Sequence, residues 1–236
     1  MGVFAIGDLH GCPDELEVLL AALRPGADDT LVFLGDYVDR GPAVRTLVER
    51  LIRLREEHPQ TVFLRGNHED MLLAFLGYPG RYASAYLANG GTATLMSYRV
   101  PRGASGAAAA ATFPAEHVQF LLDTRITHVE SGFLFVHAGV RPGIPLAEQD
   151  EEDMLWIREE FFSQPHDLPY TVLFGHTPQR EVRIGLPYHL GLDTGLVYGN
   201  KLSCFDVGGR AVVQVARGAR RVVRRDLGPL FAAVNR

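Results

Sequence analysis

The sequence predicts an α/β fold organised as a mixed β-sandwich flanked by helices, and three observations carry that expectation. Short apolar runs of strand length recur along the chain, the first of them alternate with amphipathic helical stretches, and the last third reads as short strands and turns. The runs are continuously apolar rather than alternating, as strands covered on both faces require. With 236 residues, 47% of them hydrophobic and 22% charged, the chain can build a substantial core, and no linker or repeat divides it, so a single domain over 1–236 is expected.

Val3-Phe4-Ala5-Ile6 is the first strand and runs into Gly7-Asp8-Leu9-His10-Gly11. A helix over 13–23 follows, with Pro13 in the first turn, where its missing N–H costs nothing. Leu31-Val32-Phe33-Leu34 leads into Gly35-Asp36-Tyr37-Val38-Asp39-Arg40-Gly41. The helix over 43–57 gathers Val44, Leu47, Val48, Leu51, Ile52 and Leu54 on one face. Val62-Phe63-Leu64 then enters Arg65-Gly66-Asn67-His68-Glu69, and a third helix starting near His68 turns Met71, Leu72 and Phe75 inward, completing a β-α-β-α-β beginning. From 76 to 114 the pattern weakens into a variable loop or cap, with Tyr78, Tyr82, Tyr86 and Tyr98 around Asn89-Gly90-Gly91. The Ala/Gly run over 103–111 reads as a flexible loop or poorly capped helix with no catalytic role. Two further strands, Phe133-Leu134-Phe135-Val136 and Val172-Leu173-Phe174, run into His137-Ala138-Gly139 and Gly175-His176-Thr177-Pro178. Strands over 201–207 and 210–215 suggest a second sheet packed on the first. Arg217, Arg220, Arg221, Arg224 and Arg225, interrupted by Val222 and Val223, read as a solvated edge strand.

All five strand ends carry Asp, His or Asn, and in interior sheets chemistry gathers beyond the carboxyl ends of the strands. Mixed carboxylate and imidazole donors suit divalent manganese, iron, zinc or magnesium. Cys12 and Cys204 are too few and too far apart for a thiolate zinc site or a disulfide framework, and Cys12 reads as a small buried hydrophobe. A two-metal phosphoesterase needs one carboxylate between its ions, and Asp36 is the natural bridge, being central in chain order and the first carboxylate of the richest motif. Glu69 reads as a helix N-terminal or supporting carboxylate, and Asp193 in Gly191-Leu192-Asp193-Thr194-Gly195 as a turn or supporting residue. His58, His117, His128, His166 and His189 lack the strand-end setting and receive no role. A net charge of -5 with scattered Lys and Arg argues against nucleic acid as the primary partner. No run approaches the roughly 20 apolar residues of a membrane span, and no signal-peptide pattern opens the chain. A cytoplasmic protein without membrane partners is expected.

The series G-D-L-H-G, G-D-Y-V-D-R-G, R-G-N-H-E, H-A-G and G-H-T-P, spanning residues 6–206, resembles the signature of the phosphoprotein phosphatases within the calcineurin-like metallophosphoesterases. The small bacterial and phage serine/threonine protein phosphatases are the nearest type. The resemblance implies a four-layer metallophosphoesterase fold and two divalent metal ions, manganese foremost, with iron, zinc or magnesium as alternatives. Asp8, His10 and Asp36 would bind the first ion, and Asp36, Asn67, His137 and His176 the second. It further implies His68 as general acid, Asp39 as its orienting carboxylate, Arg40 and Arg65 as catalytic phosphate clamps, and Arg158 in Leu155-Trp156-Ile157-Arg158 as a later phosphate-binding arginine. The roles are chemically sound, since a protonated imidazole can donate to a departing alkoxide and guanidinium forks match phosphate oxygens.

The implied reaction is hydrolysis of phosphate monoesters by direct attack of a metal-bridging hydroxide, on phosphoproteins or small phosphorylated substrates. The alternative is hydrolysis of diadenosine tetraphosphate or another dinucleoside polyphosphate, for which the cap tyrosines offer stacking surfaces. The symmetrical enzymes of that type are similar but replace the Asp of D-R-G and carry more chain between the last two ligand histidines. Here Asp39 is present and the stretch from His137 to His176 is short. A catalytically silent binding module would be expected to have lost the acid or a ligand, and every such position is filled.

Overall fold

Consecutive apolar residues in a strand must divide between its two faces, and that division sets the layering of this protein. The computed structural model describes residues 1–234. Its first half follows the predicted order: β1 (Val3–Ile6), α1 (Pro13–Leu23), β2 (Thr30–Phe33), α2 (Val44–Glu57), β3 (Val62–Phe63) and α3 (Asn67–Leu76). Three short helices, α4 (Gly91–Ser97), α5 (Gly106–Ala110) and α6 (Ala115–Leu122), lead to β4 (Thr127–Glu130) and β5 (Phe133–Val136). Helices α7 (Glu151–Trp156) and α8 (Glu159–Phe162) precede β6 (Thr171–Phe174), β7 (Arg183–Gly185) and β8 (His189–Gly191). The chain ends with β9 (Lys201–Asp206), β10 (Ala211–Ala216), β11 (Val223–Asp226) and α9 (Gly228–Val234).

Two mixed sheets result, ordered β11-β10-β9-β1-β2-β3 and β4-β5-β6-β8-β7. Strands β1, β2 and β3 are parallel to one another, as are β5, β6 and β8. On β1 and β2, Phe4, Ile6, Leu31 and Phe33 face helices α1 and α2, where they meet Leu16, Leu19, Leu47 and Leu51. Their neighbours Val3, Ala5, Val32 and Leu34 face the other sheet and pack with Phe133, Phe135, Leu173 and Leu190. The far side of the second sheet buries Leu134, Val136, Val172 and Phe174 against Met154, Ile157 and Phe161 of the α7–α8 region. Helix, sheet, sheet and helix layers follow from this alternation, as the four-layer expectation requires.

Two sequence expectations change and a third gains detail. Strands β9 and β10 were expected in a second sheet, but β9 lies antiparallel beside β1, with Ala5 opposite Phe205. The β1-α1-β2 crossover extends the sheet in one direction only and leaves the other edge of β1 open for β9. The second sheet is built instead from β4 to β8. The Ala/Gly run is packed rather than loose: a Cβ on Gly106 would come within 1.8 Å of the Phe75 carbonyl oxygen, so α5 approaches α3 at a distance only glycine permits. The basic stretch is partly paired, Arg217 with Glu15 at 2.6 Å and Arg224 with Asp206 at 2.7 Å, while β11 forms the exposed edge strand. Among the described residues no helix is long and apolar enough to cross a membrane.

His189 on β8 lies against Phe161 and Phe174, with ring centroids 5.4 and 5.9 Å away. Burial, then the charges of Arg183 and His166, pull its pKa down to about 4. An unfolded chain titrates this group near pH ~6.5. Between those values the unfolded state binds more protons, so this contribution to stability is fully present above about pH 6.5 and is lost as pH falls toward 4. Urea denaturation at about pH 7.5 and about pH 5 should therefore show a smaller acid loss for His189→Gln than for the wild type; equal losses would exclude His189 as a source of the acid sensitivity.

Candidate metal centre and active site

Five strands, three from one sheet and two from the other, carry the cluster at their carboxyl ends. Asp8 and His10 follow β1, Asp36 follows β2, Asn67 opens α3 just past β3, His137 follows β5 and His176 follows β6, and all six are buried. The turns that carry them are strained: five of the ten non-glycine residues with left-handed backbone among the described residues are His10, Asp36, Asp39, Arg40 and His176. Such conformations cost of order 1–3 kcal/mol each and persist where surrounding structure over-determines them. Glycines clear the space between the turns. A Cβ on Gly66 would stand 2.1 Å from Asp36 Oδ1, and one on Gly175 would stand 2.0 Å from Asp8 Oδ1.

Asp36 lies between two sets of donors. Its Oδ2 is 3.3 Å from His10 Nε2, and its Oδ1 is 3.4 Å from His137 Nε2. The opposite nitrogen of each ring donates to a backbone carbonyl, His10 Nδ1 to Val38 O and His137 Nδ1 to Leu34 O, both at 2.7 Å. A carbonyl only accepts, so Nδ1 carries the proton and the Nε2 lone pair is turned toward the cleft, the tautomer a metal ligand needs. Asn67 Oδ1 stands 3.0 Å from both His137 Nε2 and His176 Nδ1. Asp8 Oδ2 accepts the His176 backbone N–H at 3.0 Å, while Asp8 Oδ1 is buried without a hydrogen-bond partner.

Donor atoms of Asp36, His137 and His176 lie within 4.8 Å of one another, as do those of Asp36, His10 and His68. The electrostatics match a cluster built around cations. Burial, reinforced by Asp193 and Asp36, raises the Asp8 carboxyl well above the usual range. Burial also pushes Asp36 upward, but His137, His68 and His10 outweigh it and hold this group well below the ordinary carboxylate value. Burial and then His137 push His176 far down, favouring a neutral ring. Converging lone pairs and carboxylates taken out of water repel one another unless a positive charge is shared among them. The oxygen and imidazole donors therefore fit divalent cations.

His68 differs from the other histidines. Its Nδ1 is 2.7 Å from Asp39 Oδ2, while its Nε2 is buried, without a partner, and 4.0 Å from Asp36 Oδ2. Asp39 Oδ1 accepts from Thr94 Oγ1 at 2.6 Å and from Tyr86 Oη at 2.9 Å. Tyr86 and Thr94 belong to the cap segment and were missed in the sequence, because no local pattern there points back to Asp39. Glu69 accepts from four backbone N–H groups, those of Asp36, Tyr37, Val38 and Gly66, and so ties the Asp36 turn to the start of α3. Its place three residues after Gly66 is capping-box spacing, which was legible.

The arginines divide. Arg40 Nη1 lies 2.7 Å from His10 Nε2, and its guanidinium sits 5.7 Å from the centre of the Tyr198 ring. Arg158 is exposed beside α8, forms no ion pair among the described residues, and lies close enough to His176 to lower its pKa. Arg65 is tied to its neighbours, with Nη1 3.9 Å from Asp70 Oδ1. Its Nε donates to Thr124 Oγ1 and its Nη2 to Leu122 O, both at 3.1 Å, and its backbone N–H donates to Arg125 O. These contacts fasten the α6–β4 connection to the end of β3.

Residues 1–207 match the family described as calcineurin-like phosphoesterase. The chain is 30% identical over 207 residues to serine/threonine-protein phosphatase 1 of Salmonella typhimurium, a match covering 85% of this chain and 89% of that protein. It is 33% identical over 138 residues to the symmetrical bis(5'-nucleosyl)-tetraphosphatase of Burkholderia thailandensis, covering 58% of this chain and 42% of that protein. A crystal structure assigned as a diadenosine tetraphosphatase superposes with a TM-score of 0.71 at 25% identity, over 92% of this chain and 93% of that one.

Gly175→Ala should drive a methyl group into Asp8 and weaken cation binding more than it weakens the fold. At a hundredfold excess of free manganese over its dissociation constant, the wild type should gain about 2.7 kcal/mol of stability. Thermal denaturation with and without the ion should show less than about half that gain for the variant. An undiminished gain would remove Asp8 from the cation site.

Proposed function

We propose that this chain, which belongs to the calcineurin-like phosphoesterase family of hydrolases, is a metal-dependent phosphomonoesterase acting on phosphoserine or phosphothreonine in proteins. The observation that carries the reading is the buried His68–Asp39 pair with the His68 Nε2 left free. A serine or threonine alkoxide is a poor leaving group and needs a proton as its bond to phosphorus breaks. The phosphate leaving group of a polyphosphate is far less basic and needs that proton less.

Asp8, His10 and Asp36 would hold one divalent ion, and Asp36, Asn67, His137 and His176 the other, with manganese the proposed metal. Bound there, the ions supply the Lewis acidity that makes a water nucleophilic and neutralise charge on the phosphoryl oxygens. Arg40 and Arg158 bind those oxygens from the open side of the cleft, where guanidinium groups match phosphate geometry. His68 passes the proton on its Nε2 to the ester oxygen. Asp39 keeps Nδ1 protonated and stabilises the imidazolium before transfer, and Tyr86 and Thr94 hold Asp39 in place.

Two of the four cap tyrosines favour the same reading. Tyr86 is buried on Asp39, and Tyr98 is buried between Phe113 and His117, so neither ring is free to stack on a base. Tyr82 is engaged by Trp156 and by Glu152. A second reading, hydrolysis of a dinucleoside polyphosphate, draws on a different residue: Tyr198 is 61% exposed beside Arg40 and offers a stacking surface next to a phosphate-binding group.

Initial rates with manganese on phosphopeptides, an aryl phosphate and diadenosine tetraphosphate separate the two. The phosphopeptide should lead diadenosine tetraphosphate in kcat/KM by at least about tenfold, and the reverse order would select the second reading. His68→Ala should lower kcat on the phosphopeptide by about 100- to 10,000-fold, and by less on the aryl phosphate, whose leaving group needs less protonation. Tyr86→Phe should lower kcat roughly tenfold with KM within about twofold, as expected for a group that acts through Asp39. Equal losses on both substrates in His68→Ala would rule out proton donation as its role.

A further inference from the structure

The cap segment encloses a cavity that the chemistry above does not use. Its walls are Phe75 near the end of α3, Leu87, then Leu95 and Met96 on α4, and finally Val100 and Ala104, and its volume is about 320 Å³. Those walls are held by the fold itself. The Val100 N–H donates to Leu95 O at 2.9 Å, the Ala104 N–H donates to Pro101 O at 3.1 Å, and Gly106 packs against the Phe75 carbonyl. Leu87 and Met96 are 51% and 71% exposed, so the cavity leaves apolar surface in water. Among its lining residues only Arg102 is ionisable, and Arg102 is exposed and forms no ion pair among the described residues.

Two side chains of this wall adjoin the support beneath His68. The Phe75 ring lies 5.0 Å from the ring of Tyr86, which donates to Asp39. Leu95 directly follows Thr94, the other side chain that donates to Asp39. Gly91 closes on Tyr86 from the start of α4, where a Cβ would come within 2.5 Å of the ring. A molecule seated against Phe75 and Leu95 therefore bears on both residues that hold Asp39.

We infer that this cavity is a regulatory site for an amphipathic carboxylate, a hydrocarbon tail of roughly ten carbons with one anionic head group. The volume of about 320 Å³ takes roughly ten groups of water size at about 30 Å³ each, which sets the length of the tail. The walls offer a tail nothing but apolar contact, and unpaired Arg102 supplies the complementary charge for the head. A concave site of this size buries a single chain, whereas a bilayer would meet only its rim. Filling it fixes Phe75 and Leu95, keeps Tyr86 and Thr94 on Asp39, and so favours proton delivery. The effect on turnover rests on the proposed role of His68, and the binding does not.

Decanoate is the probe. Calorimetric titration of the manganese-loaded full chain should show one saturable site with a Kd below about 1 mM. Decyltrimethylammonium, with a similar tail and the opposite charge, should bind at least about threefold more weakly. At its exposed position Arg102→Gln should weaken decanoate about two- to fivefold. Ala104→Phe fills the cavity and should abolish saturable binding. With saturating decanoate, kcat on the phosphopeptide should rise about two- to fivefold with KM within about twofold, and Ala104→Phe should show wild-type activity and no rise. No saturable binding, equal binding of the cationic probe, or retained binding in Ala104→Phe would overturn the site, the last being what coordination of decanoate by the metal ions would give. Binding with kcat unchanged would overturn the regulatory role. A raised KM for the phosphopeptide in Ala104→Phe without decanoate would assign the cavity to a substrate side chain instead. Sedimentation of the wild type with phosphatidylglycerol vesicles, retained in Ala104→Phe, would assign the rim to a membrane and overturn the inference too. Decanoate binding that Ala104→Phe loses, in a protein that turns over no phosphopeptide, would defeat the proposed function and leave the binding site standing.

Discussion

The Asp36 carboxylate is withdrawn from water in the middle of the molecule, and much of the architecture can be traced to keeping it there. Desolvating an ionised carboxylate costs several kcal/mol unless opposite charge and hydrogen bonds replace the lost water. Here the replacements come from elements far apart in the chain: His10 after β1, the His68 backbone N–H at the start of α3, and His137 after β5. Glu69 fixes the turn from behind through the N–H groups of Asp36, Tyr37 and Val38. The parallel register of β1 and β2 brings the turns that follow them to the same level, so that His10 and Asp36 can meet at 3.3 Å.

That requirement explains where the structure accepts strain. His10, Asp36, Asp39, Arg40 and His176 all take left-handed backbone conformations, and Gly66 and Gly175 leave no room for a methyl group. Each departure is unfavourable locally. The cores on both sides of the two sheets hold the strand ends rigidly enough to impose them, and cations shared among the buried donors would add to that balance.

Legibility in the sequence followed the distance over which a residue's role is decided. Asp8, His10, Asp36, Asn67, His137 and His176 stand immediately after apolar runs, so their placement at strand ends could be read locally, and the structure groups Asp36 with His10 on one side and with His137 and His176 on the other. Tyr86 and Thr94 could not be read, because their contacts with Asp39 span 47 and 55 residues and lie in a segment without periodicity. Arg65 shows a different limit. An arginine next to a motif has the same sequence appearance whether its guanidinium faces a phosphate or the Leu122 carbonyl, and only the path of the α6–β4 connection decides. Likewise, the apolar pattern of β9 and β10 marks them as strands but carries no information about which sheet has a free edge.

The contacts of Asp39 join two properties that are usually considered separately. Loops that vary set substrate choice, whereas proton transfer depends on a rigid core. In this protein the carboxylate that orients His68 is itself held by Tyr86 and Thr94 from the cap segment, and Tyr82 of the same segment packs on Trp156, whose ring lies 6.1 Å from His176. A change of cap sequence that admits a different substrate would therefore also shift the support beneath His68, the proposed acid. The poorer the leaving group, the more that support matters, so a phosphoserine phosphatase tolerates less variation at Tyr86 and Thr94 than an enzyme cleaving anhydrides. Under the proposed function, selectivity and proton delivery would be mechanically coupled through one buried aspartate.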